Sequence, residues 1–535
     1  MNDDTIDYLE GEKPLHEYLR SHARRQPGKA AIIWYGREIS FGELDRMSDA
    51  FAQALHERGV AKGDRVALFL QNCPQYLIAH FGIQKIGAIV SPCSPMFKAH
   101  EFAYQVGDLD AKALVVADHL MPIVQSVADR VRVPNVFSVC YADFLPATPS
   151  VRVPDEVAAR PAPAEGSIDF HAVVTRADVA APKVDLVMDD ICLMTYTSGT
   201  TGMPKGAMLS YRNALYKTAV GQERFRIGGN DVVLAVAPVY HIAGMICGLT
   251  ISAYTGATVV LLNRMDPLAV LQAIERHRVS WWYAMAPMLV AVMNEPDAQK
   301  FDLSSLHSTV GTSFGIKLTQ ELAGRWSRFA NDCLICEAGY GLSETHTNDV
   351  LMPRDAVRWG THGMPCRGVE LKILGDDGRE LPVGESGQIV LRSLGVFHGY
   401  WNRPDATAEV LRDGWVYTGD IGCMDEHGYL TFIGRTKEMI KVSGFSVFPE
   451  EVEAILILHP AVHQVAVIGV PDKDKGEVVK AFVVPKSKTL DVEELLRWAR
   501  ENMSHYKVPR QVELRETLPA SGTGKLMRRL LKEPA

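Results

Sequence analysis

The sequence has no long apolar run and no excess of positive charge. Its longest apolar stretches, such as 191–194 and 257–262, fall far short of the ~20 residues that a membrane-spanning helix needs, so we expect no transmembrane segment. The formal net charge of the 535 residues is −8. A chain of that charge has no global basic field to attract nucleic acid or an anionic membrane.

Cysteines are few and scattered. The chain has nine of them, and its one CxxC, Cys333 to Cys336, has no second pair or neighbouring histidine cluster. Structural thiols are therefore favoured over zinc binding or redox use. Residues 1–12 are acidic and do not resemble a secretory leader, so we expect a reducing, cytoplasmic location. No coiled-coil pattern argues for a particular oligomer, so an oligomer is possible but unsupported.

The chain is too long for one hydrophobic core, which predicts two or more domains. In the first part, Ser40 and Glu43 form a capping box before a helical apolar pattern, and 65–70 and 112–117 are typical of buried strands. This alternation predicts α/β structure with parallel strands. Residues 145–188, rich in Pro, Ala and Asp, are predicted to be an exposed excursion.

The α/β pattern continues through strands at 231–239, 257–262 and 279–287, and the sequence pattern changes after Gly360. Short strands at 369–374 and 387–393 are separated by glycine-rich turns, which predicts a small antiparallel barrel or sheet. From about residue 436 a last block predicts a small separate α+β domain. Its elements are strands at 463–470, 479–485 and 511–516 and a capped helix at 491–503.

The strongest chemical signal is TYTSGTTGMPKG at 195–206. Its glycines let the backbone approach anionic oxygens, its hydroxyls and amides donate hydrogen bonds, and Lys205 adds charge. The plain alternative is a Ser/Thr/Gly turn. The motif is not a Walker loop, because Met203 and Pro204 separate Gly202 from Lys205 and no GK[ST] occurs.

Four further segments occur along the chain in the same order as the motifs of a known family. They are PVYHIAGM (238–245), YGLSET (340–345), YTGDIG (417–422) with GRTKEMIKVSGF (434–445), and LPASGTGKLMRR (518–529). Together with the 195–206 loop, they resemble the adenylate-forming superfamily of acyl-CoA synthetases, luciferases and peptide-synthetase adenylation domains. The resemblance covers about 30–530 and is closest to stand-alone fatty-acyl or aryl CoA ligases.

The resemblance implies an α/β fold in two domains. Residues 1–434 are expected to form a large N-terminal domain of stacked α/β sheets with a small β-barrel. Residues 435–535 are expected to form a small mobile α+β domain that swings about a hinge near Lys437. The implied substrates are a small carboxylic acid, ATP and coenzyme A, with Mg²⁺ as the metal.

The resemblance also implies the ATP site. Tyr340 would stack on adenine, Asp420 would accept hydrogen bonds from the ribose hydroxyls, and Glu344 would hold Mg²⁺ together with Thr200. As single residues, a solvated glutamate and an ordinary Asp–Gly turn are the plain alternatives. The implied ATP-binding residues are Thr197, Ser198, Gly199, Thr200, Thr201, Gly202, Lys205, Tyr340, Gly341, Ser343, Asp420, Arg435 and Lys525.

Catalytic roles are implied for Lys525, His241 and Glu344, and Gly444 would line the coenzyme A tunnel. Gly522 and Gly524 flank Thr523 and are expected to give a mobile loop, from which Lys525 could enter and leave a cleft. A solvated basic C-terminal helix is the alternative. The implied acyl-pocket residues are Tyr240, His241, Gly311, Thr312, Ser313 and Phe314. Ser313 and Phe314 are bulkier than the family pattern, which predicts a shortened pocket.

These expectations predict an enzyme that adenylates a carboxylic acid and passes the acyl group to coenzyme A. A medium-chain aliphatic acid is the first expectation, an aryl or arylalkanoic acid the second and a long-chain acid the third. Another acyl acceptor, namely a carrier-protein thiol or oxygen, is the rival within enzymes, and coenzyme A-dependent AMP release distinguishes it. A regulatory protein with a degenerate nucleotide site is the rival outside enzymes.

Overall fold

The structure is a computed structural model. It describes residues 6–161, 164–197, 203–313, 317–442, 445–472, 476–486, 490–520 and 526–532. Within these residues the strands form five sheets, of which two have seven strands each.

The first seven-stranded sheet carries most of the strands predicted in the middle of the chain. Its strands are parallel except for the pair at the amino-terminal edge. In spatial order they are Leu334–Glu337, Ser308–Thr312, Trp281–Met285, Val232–Ala235, Thr258–Leu261, Ala30–Trp34 and Arg37–Ser40. The predictions at 231–239, 257–262 and 279–287 are confirmed, with each strand shorter than its apolar run.

The second seven-stranded sheet is also parallel apart from one edge pair. In spatial order its strands are Ile168–Asp169, Asn135–Val139, Ala113–Ala117, Arg65–Phe69, Ile89–Pro92, Ile191–Tyr196 and Gly206–Ser210. The strands predicted at 65–70 and 112–117 lie at its centre and are buried, as near-continuous apolar runs in parallel sheets are expected to be. The antiparallel edge pair flanks the glycine-rich loop.

Helices pack between and around these two sheets. Phe41–Glu57 begins at the predicted capping box, in which Ser40 accepts from the Glu43 amide. It packs on Pro74–Lys85, which is buried along its whole length. The other helices before residue 330 are Leu15–Arg25, Ala99–Leu109, Met121–Gln125, Asp155–Ala158, Phe170–Val174, Tyr211–Phe225, Ile242–Met245, Ile251–Thr255, Pro267–His277, Ala286–Met293 and Gln320–Phe329.

Two antiparallel sheets follow. A three-stranded sheet contains Gly339–Tyr340, Val350–Leu351 and Met364–Pro365. In the five-stranded sheet, Trp415–Met424 pairs with three neighbours, which fits the prediction of antiparallel structure after residue 360. Its other strands are Glu370–Leu374, Gly387–Arg392, Leu411–Arg412 and Leu430–Arg435, and the helix Pro404–Val410 lies among them in sequence.

The last sheet has its own small apolar core. Its strands are Ile440–Val442, Phe445–Val447, Val462–Asp472, Gly476–Pro485 and Gln511–Leu514, and its helices are Pro449–Leu456, Val492–Asn502 and Arg529–Lys532. The change from the preceding sheet to this one takes place between Arg435 and Ile440, across the 3-10 turn Thr436–Glu438. No helix in the described part of the chain combines the length and the apolar character that crossing a bilayer requires.

Candidate active site

A cleft of about 1520 Å³ runs from the end of the glycine-rich loop to the C-terminal segment. It brings together residues that are far apart in sequence, and most of the predicted site residues that the structure describes line it. These are Thr197, Lys205, Tyr240, His241, Thr312, Tyr340, Gly341, Ser343, Glu344, Asp420, Arg435 and Lys437. Ser198 to Gly202, Phe314, Gly444 and Lys525 lie outside the described residues.

The glycine-rich loop connects two antiparallel edge strands, Ile191–Tyr196 and Gly206–Ser210. Its two ends are joined, because the Thr197 amide donates to the Lys205 carbonyl at 3.0 Å and the Lys205 amide donates to the Thr197 hydroxyl at 3.4 Å. The hairpin therefore holds Lys205 at a fixed place in the cleft wall. A Walker loop differs, since it leads from a strand directly into a helix.

Glu344 lies in the 3-10 turn Ser343–Thr345 and faces the same part of the cleft as Lys205. Its Oε1 atom accepts a 2.6 Å hydrogen bond from the hydroxyl of Tyr400. The Lys205 Nζ atom lies over the ring of the same tyrosine, 4.5 Å from its centroid. One tyrosine that the sequence did not single out thus contacts both a predicted phosphate-binding lysine and a predicted metal ligand.

A second group of polar residues, Tyr340, Asp420 and Arg435, also lines the cleft. The Tyr340 hydroxyl donates to Asp420 Oδ2 at 2.8 Å, and the Arg435 Nε atom lies 3.3 Å from Asp420 Oδ1. The Tyr340 ring stacks near Phe432, with centroids 6.0 Å apart. Burial, and then the charge of Asp420, raises the pKa of Tyr340 well above its usual value. The Tyr340 hydroxyl therefore stays protonated. It remains the donor of the hydrogen bond that fixes the Asp420 carboxylate.

The segment that follows Glu344 has an unusual backbone. His346, Thr347 and Asn348 have φ of 57°, 57° and 51°, a left-handed conformation that non-glycine residues seldom adopt in succession. Gly341 packs against this turn, because a Cβ atom there would lie 2.7 Å from the Asn348 amide nitrogen. Strain of this kind persists only where surrounding contacts impose it, and it clusters at functional sites.

Behind Tyr240 and His241 the cleft wall becomes apolar. The His241 amide donates to the Pro238 carbonyl at 3.0 Å, and His241 directly precedes the short helix Ile242–Met245. A π-helical turn, Ile246–Thr250, continues that helix; such turns are frequent at functional sites. The apolar wall is formed by Phe225, Ile242, Ala243, Cys247, Tyr283, Ala338 and Leu351.

Two predicted acyl-pocket residues do not line the cleft. Thr312 does so, while Gly311 and Ser313 do not, because neighbouring residues of a strand point to opposite faces. A Cβ atom on Gly311 would lie 2.5 Å from Leu318 Cδ2. Ser313 instead donates from its amide and its hydroxyl to Glu337, at 3.1 and 3.0 Å. Burial raises the pKa of Glu337 to about 7.

The C-terminal wall contains an arginine that sequence reasoning missed. Arg528 Nη1 lies 2.5 Å from Glu438 in the 3-10 turn and 2.9 Å from Glu450, and Arg528 Nη2 lies 2.8 Å from Glu453. It therefore ties the C-terminal segment to the turn where the sheets change. The basic run KLMRR can be recognised in the sequence. The acidic residues that Arg528 contacts cannot be identified from the sequence alone.

Family models and known proteins match this fold and cleft. A model described as AMP-binding enzyme matches residues 19–401, and one described as AMP-binding enzyme C-terminal domain matches residues 451–525. A long-chain-fatty-acid–CoA ligase of Salmonella typhimurium is 34% identical, over 97% of this chain and 94% of that protein. A feruloyl-CoA synthase of an Amycolatopsis species is also 34% identical, over 95% of this chain and 96% of that protein.

Among solved structures, an anthranilate CoA ligase in complex with anthranoyl-AMP superposes with a TM-score of 0.84. It is 26% identical, and the match covers 99% of this chain and 98% of that chain. The chain belongs to the AMP-binding, or adenylate-forming, enzyme family. It is an acid–CoA ligase of the AMP-forming type, a class of enzyme that uses ATP, Mg²⁺ and coenzyme A.

Proposed function

We propose that this ligase activates an apolar carboxylic acid in two steps at the one cleft. In the first, a carboxylate oxygen attacks the α-phosphorus of ATP, forming acyl-AMP and releasing pyrophosphate. In the second, the thiolate of coenzyme A attacks the acyl carbon, forming acyl-CoA and releasing AMP. The observation that carries the proposal is the continuity of the cleft, which joins Lys205 and Glu344 to the apolar wall behind His241.

The nucleotide is proposed to lie along the two polar groups of the cleft. Tyr340 would offer a ring face to the adenine, and Asp420 with Arg435 would bind the ribose. The contacts of Asp420 with Tyr340 and Arg435 hold its carboxylate at the cleft wall, which supports this role, since a carboxylate accepts hydrogen bonds from hydroxyl groups. Lys205 and the loop at 197–202 would surround the phosphates, with Ser343 near the α-phosphate.

The residues present fit a magnesium ion. Glu344 brings one carboxylate to the phosphate end of the cleft, and no cluster of three or more metal-ligating side chains occurs within the described ranges. Mg²⁺ commonly binds with one or two carboxylates, waters and substrate phosphates. Glu344, with Thr200 of the glycine-rich loop, would therefore hold it. The ion would neutralise negative charge that develops on the phosphates.

The acid is proposed to enter past His241, with its chain against the apolar wall and its carboxylate toward the phosphates. Lys525, which directly follows Gly524 in the sequence, would stabilise the charge that develops on the carboxylate and α-phosphate in the first step. The turn Thr436–Glu438 contains Lys437 and lies between two sheets. We propose that it acts as the hinge between domains 1–434 and 435–535, and that rotation there brings Gly444 to the coenzyme A tunnel.

A medium-chain aliphatic acid is the proposed substrate. Apolar side chains line the pocket, and two of them, Phe225 and Tyr283, are aromatic. The same two rings support an aryl or arylalkanoic acid as the second candidate, because aromatic rings stack favourably with each other. A relative with 34% identity acts as a feruloyl-CoA synthase, which fits that candidate.

The test is pyrophosphate release measured over acids from acetate to palmitate, with benzoates and cinnamates included. AMP release is followed in the same reactions with and without coenzyme A. We expect pyrophosphate release to peak at medium-chain acids and AMP release to require coenzyme A. AMP release that does not depend on coenzyme A would instead support another acyl acceptor.

A further inference from the structure

A short segment, Phe397–Trp401, lies beside Gly206–Ser210, the strand that follows the glycine-rich loop. The His398 amide donates to the Met208 carbonyl at 2.9 Å, and the Met208 amide donates to the Gly399 carbonyl at 3.0 Å. The Trp401 amide donates to the Gly206 carbonyl at 2.8 Å. These backbone bonds attach the segment directly to the strand that follows Lys205.

The same segment also contacts the turn that carries Glu344. The Phe397 amide donates to the Glu344 carbonyl at 2.8 Å, and the Tyr400 hydroxyl donates to Glu344 Oε1 at 2.6 Å. Tyr400 itself is held, since its amide donates to the Thr407 hydroxyl at 2.9 Å and its side chain is largely buried. The segment therefore connects two parts of the cleft that lie about 140 residues apart in sequence.

The contact with Glu344 has a direct consequence for its carboxylate. A hydroxyl that donates to a charged carboxylate forms a short, strong hydrogen bond and fixes the side-chain rotamer. The Tyr400 hydroxyl is bonded to Oε1 of Glu344, so Oε2 is the carboxylate oxygen that would face a bound metal ion.

The ring of Tyr400 has a second role. A cation over an aromatic face is attracted by the ring quadrupole, and Lys205 Nζ lies 4.5 Å from the ring centroid. One side chain thus sets the position of a cation with its ring and of a carboxylate with its hydroxyl.

We propose that Tyr400 is a positioning residue for nucleotide and metal binding, which orients Glu344 toward the metal and Lys205 toward the phosphates. The inference rests on the proposed function only in that it takes Glu344 as a metal ligand. Partners of this kind, which bind a ligating side chain and not the metal, typically affect metal affinity by about 10–100-fold.

The test measures binding and does not depend on turnover. An ATP analogue with a methylene group between its α- and β-phosphorus atoms is titrated by calorimetry at a series of Mg²⁺ concentrations. Tyr400→Phe keeps the ring and loses the hydroxyl, so the Mg²⁺ concentration for half-maximal enhancement of binding should rise by about tenfold. Tyr400→Leu also loses the ring, and should weaken analogue binding further, including in EDTA.

Tyr211→Phe is the matched control. The Tyr211 hydroxyl is buried and donates at 2.6 Å to the Gln84 carbonyl, away from the cleft. This variant should bind the analogue as the wild type does. Glu344→Gln should shift the Mg²⁺ dependence at least as far as Tyr400→Phe.

Two outcomes would overturn the inference. In one, Tyr400→Phe lowers the melting temperature but its Mg²⁺ dependence overlies that of the wild type, while Glu344→Gln shifts it. In the other, the wild type shows no Mg²⁺-dependent binding at all. Failure of the proposed function is a separate observation, namely no acid-dependent pyrophosphate release from a wild type that binds the analogue with Mg²⁺.

Discussion

The Nζ atom of Lys217 lies 2.5 Å from Asp349 Oδ1, and neither side chain is exposed to solvent. The other carboxylate oxygen of Asp349 accepts a hydrogen bond from the Thr345 hydroxyl. These contacts close the left-handed turn at 346–348, which begins two residues after Glu344. Because three successive non-glycine residues in this conformation are strained, the buried ion pair is the feature that we expect to hold the turn.

Lys217→Met would leave the Asp349 carboxylate buried without its counter-charge. We expect the free energy of unfolding to fall by about 3–5 kcal/mol at neutral pH. Burial already raises the pKa of Asp349, and loss of the ammonium raises it further. When folding raises the pKa of a carboxyl, the folded state loses stability as the pH rises above the pKa that the carboxyl has in the unfolded chain. The loss of free energy of unfolding in Lys217→Met should therefore be larger at pH 8 than at pH 5.

Urea unfolding followed by tryptophan fluorescence at the two pH values measures this difference. The double variant Lys217→Met with Asp349→Leu is the control, because replacing both members of a buried ion pair by apolar residues removes the unpaired charge. It should recover most of the lost stability and lose the pH dependence. Equal deficits at pH 5 and pH 8 would contradict the explanation.

Glu453 gives the C-terminal domain a pH dependence of its own. Burial raises its pKa to about 7, in spite of the opposing charge of Arg528. The domain should therefore lose stability as the pH rises from the unfolded value of about 4.3 toward 7. Glutamine resembles the protonated glutamate side chain. We therefore expect the C-terminal domain of Glu453→Gln to be as stable as that of the wild type at pH 5 and more stable than it at pH 8.

Hydrogen exchange of the strands Val462–Asp472 and Gly476–Pro485, corrected for intrinsic rates, reports the stability of this domain. Glu494→Gln, at an exposed position of a helix in the same domain, is the matched control and should leave the pH profile unchanged. If the Glu453→Gln and wild-type profiles run parallel from pH 5 to pH 8, the carboxyl does not titrate in this range.

Sequence patterns predicted the elements that depend on local order. Arg65–Phe69 is a short apolar run and forms a central buried strand. Val492–Asn502 is a helix because its apolar positions recur at helical spacing and Asp491 caps it. Strand ends were less well predicted, because an apolar run such as 279–287 extends beyond Trp281–Met285 into the next helix.

The cleft residues that the sequence missed are those defined by tertiary contacts. Tyr400 has no chemical signature in FHGYWNRP, and its role depends on pairing with a strand about 190 residues earlier. Lys217 and Asp349 are likewise distant in sequence. Ser313 was assigned to the pocket by its place in a motif, but strand alternation turns it toward Glu337. Motifs locate residues in the chain, whereas packing decides which way each one faces.

Lys525→Ala should separate the two half-reactions. The lysine is expected to stabilise charge at the α-phosphate only in the first step, so acyl-AMP formation should fall by about 10²-fold or more. Thioester formation from supplied acyl-AMP and coenzyme A should be largely retained. Lys486→Ala, at an exposed position of the same domain, should affect neither step. Equal losses in both half-reactions would assign Lys525 a role other than the one proposed.

The apolar part of the cleft predicts how the acid is selected. Cys247 lies on the π-helical turn and faces the pocket together with Phe225 and Tyr283. Each methylene that the pocket buries contributes about 0.8 kcal/mol, or about fourfold in kcat/KM. Activity should therefore climb steeply with chain length until the chain meets the pocket floor, and should fall beyond that length.

Cys247→Phe adds a ring at the pocket wall, and this ring takes space that methylenes of the acyl chain would otherwise occupy. The preferred chain length should therefore fall by about two carbons. Cys247→Ser, which keeps the size of the side chain, is the control and should leave the profile in place. Phe314→Gly, at the position that the family resemblance assigns to the acyl pocket, should move the preferred chain length upward by several carbons. The measurement is kcat/KM over straight-chain acids from butanoate to palmitate. A Cys247→Phe profile that peaks at the wild-type length would show that the acyl chain does not reach this turn, and the assignment of the apolar wall to the acid would fail.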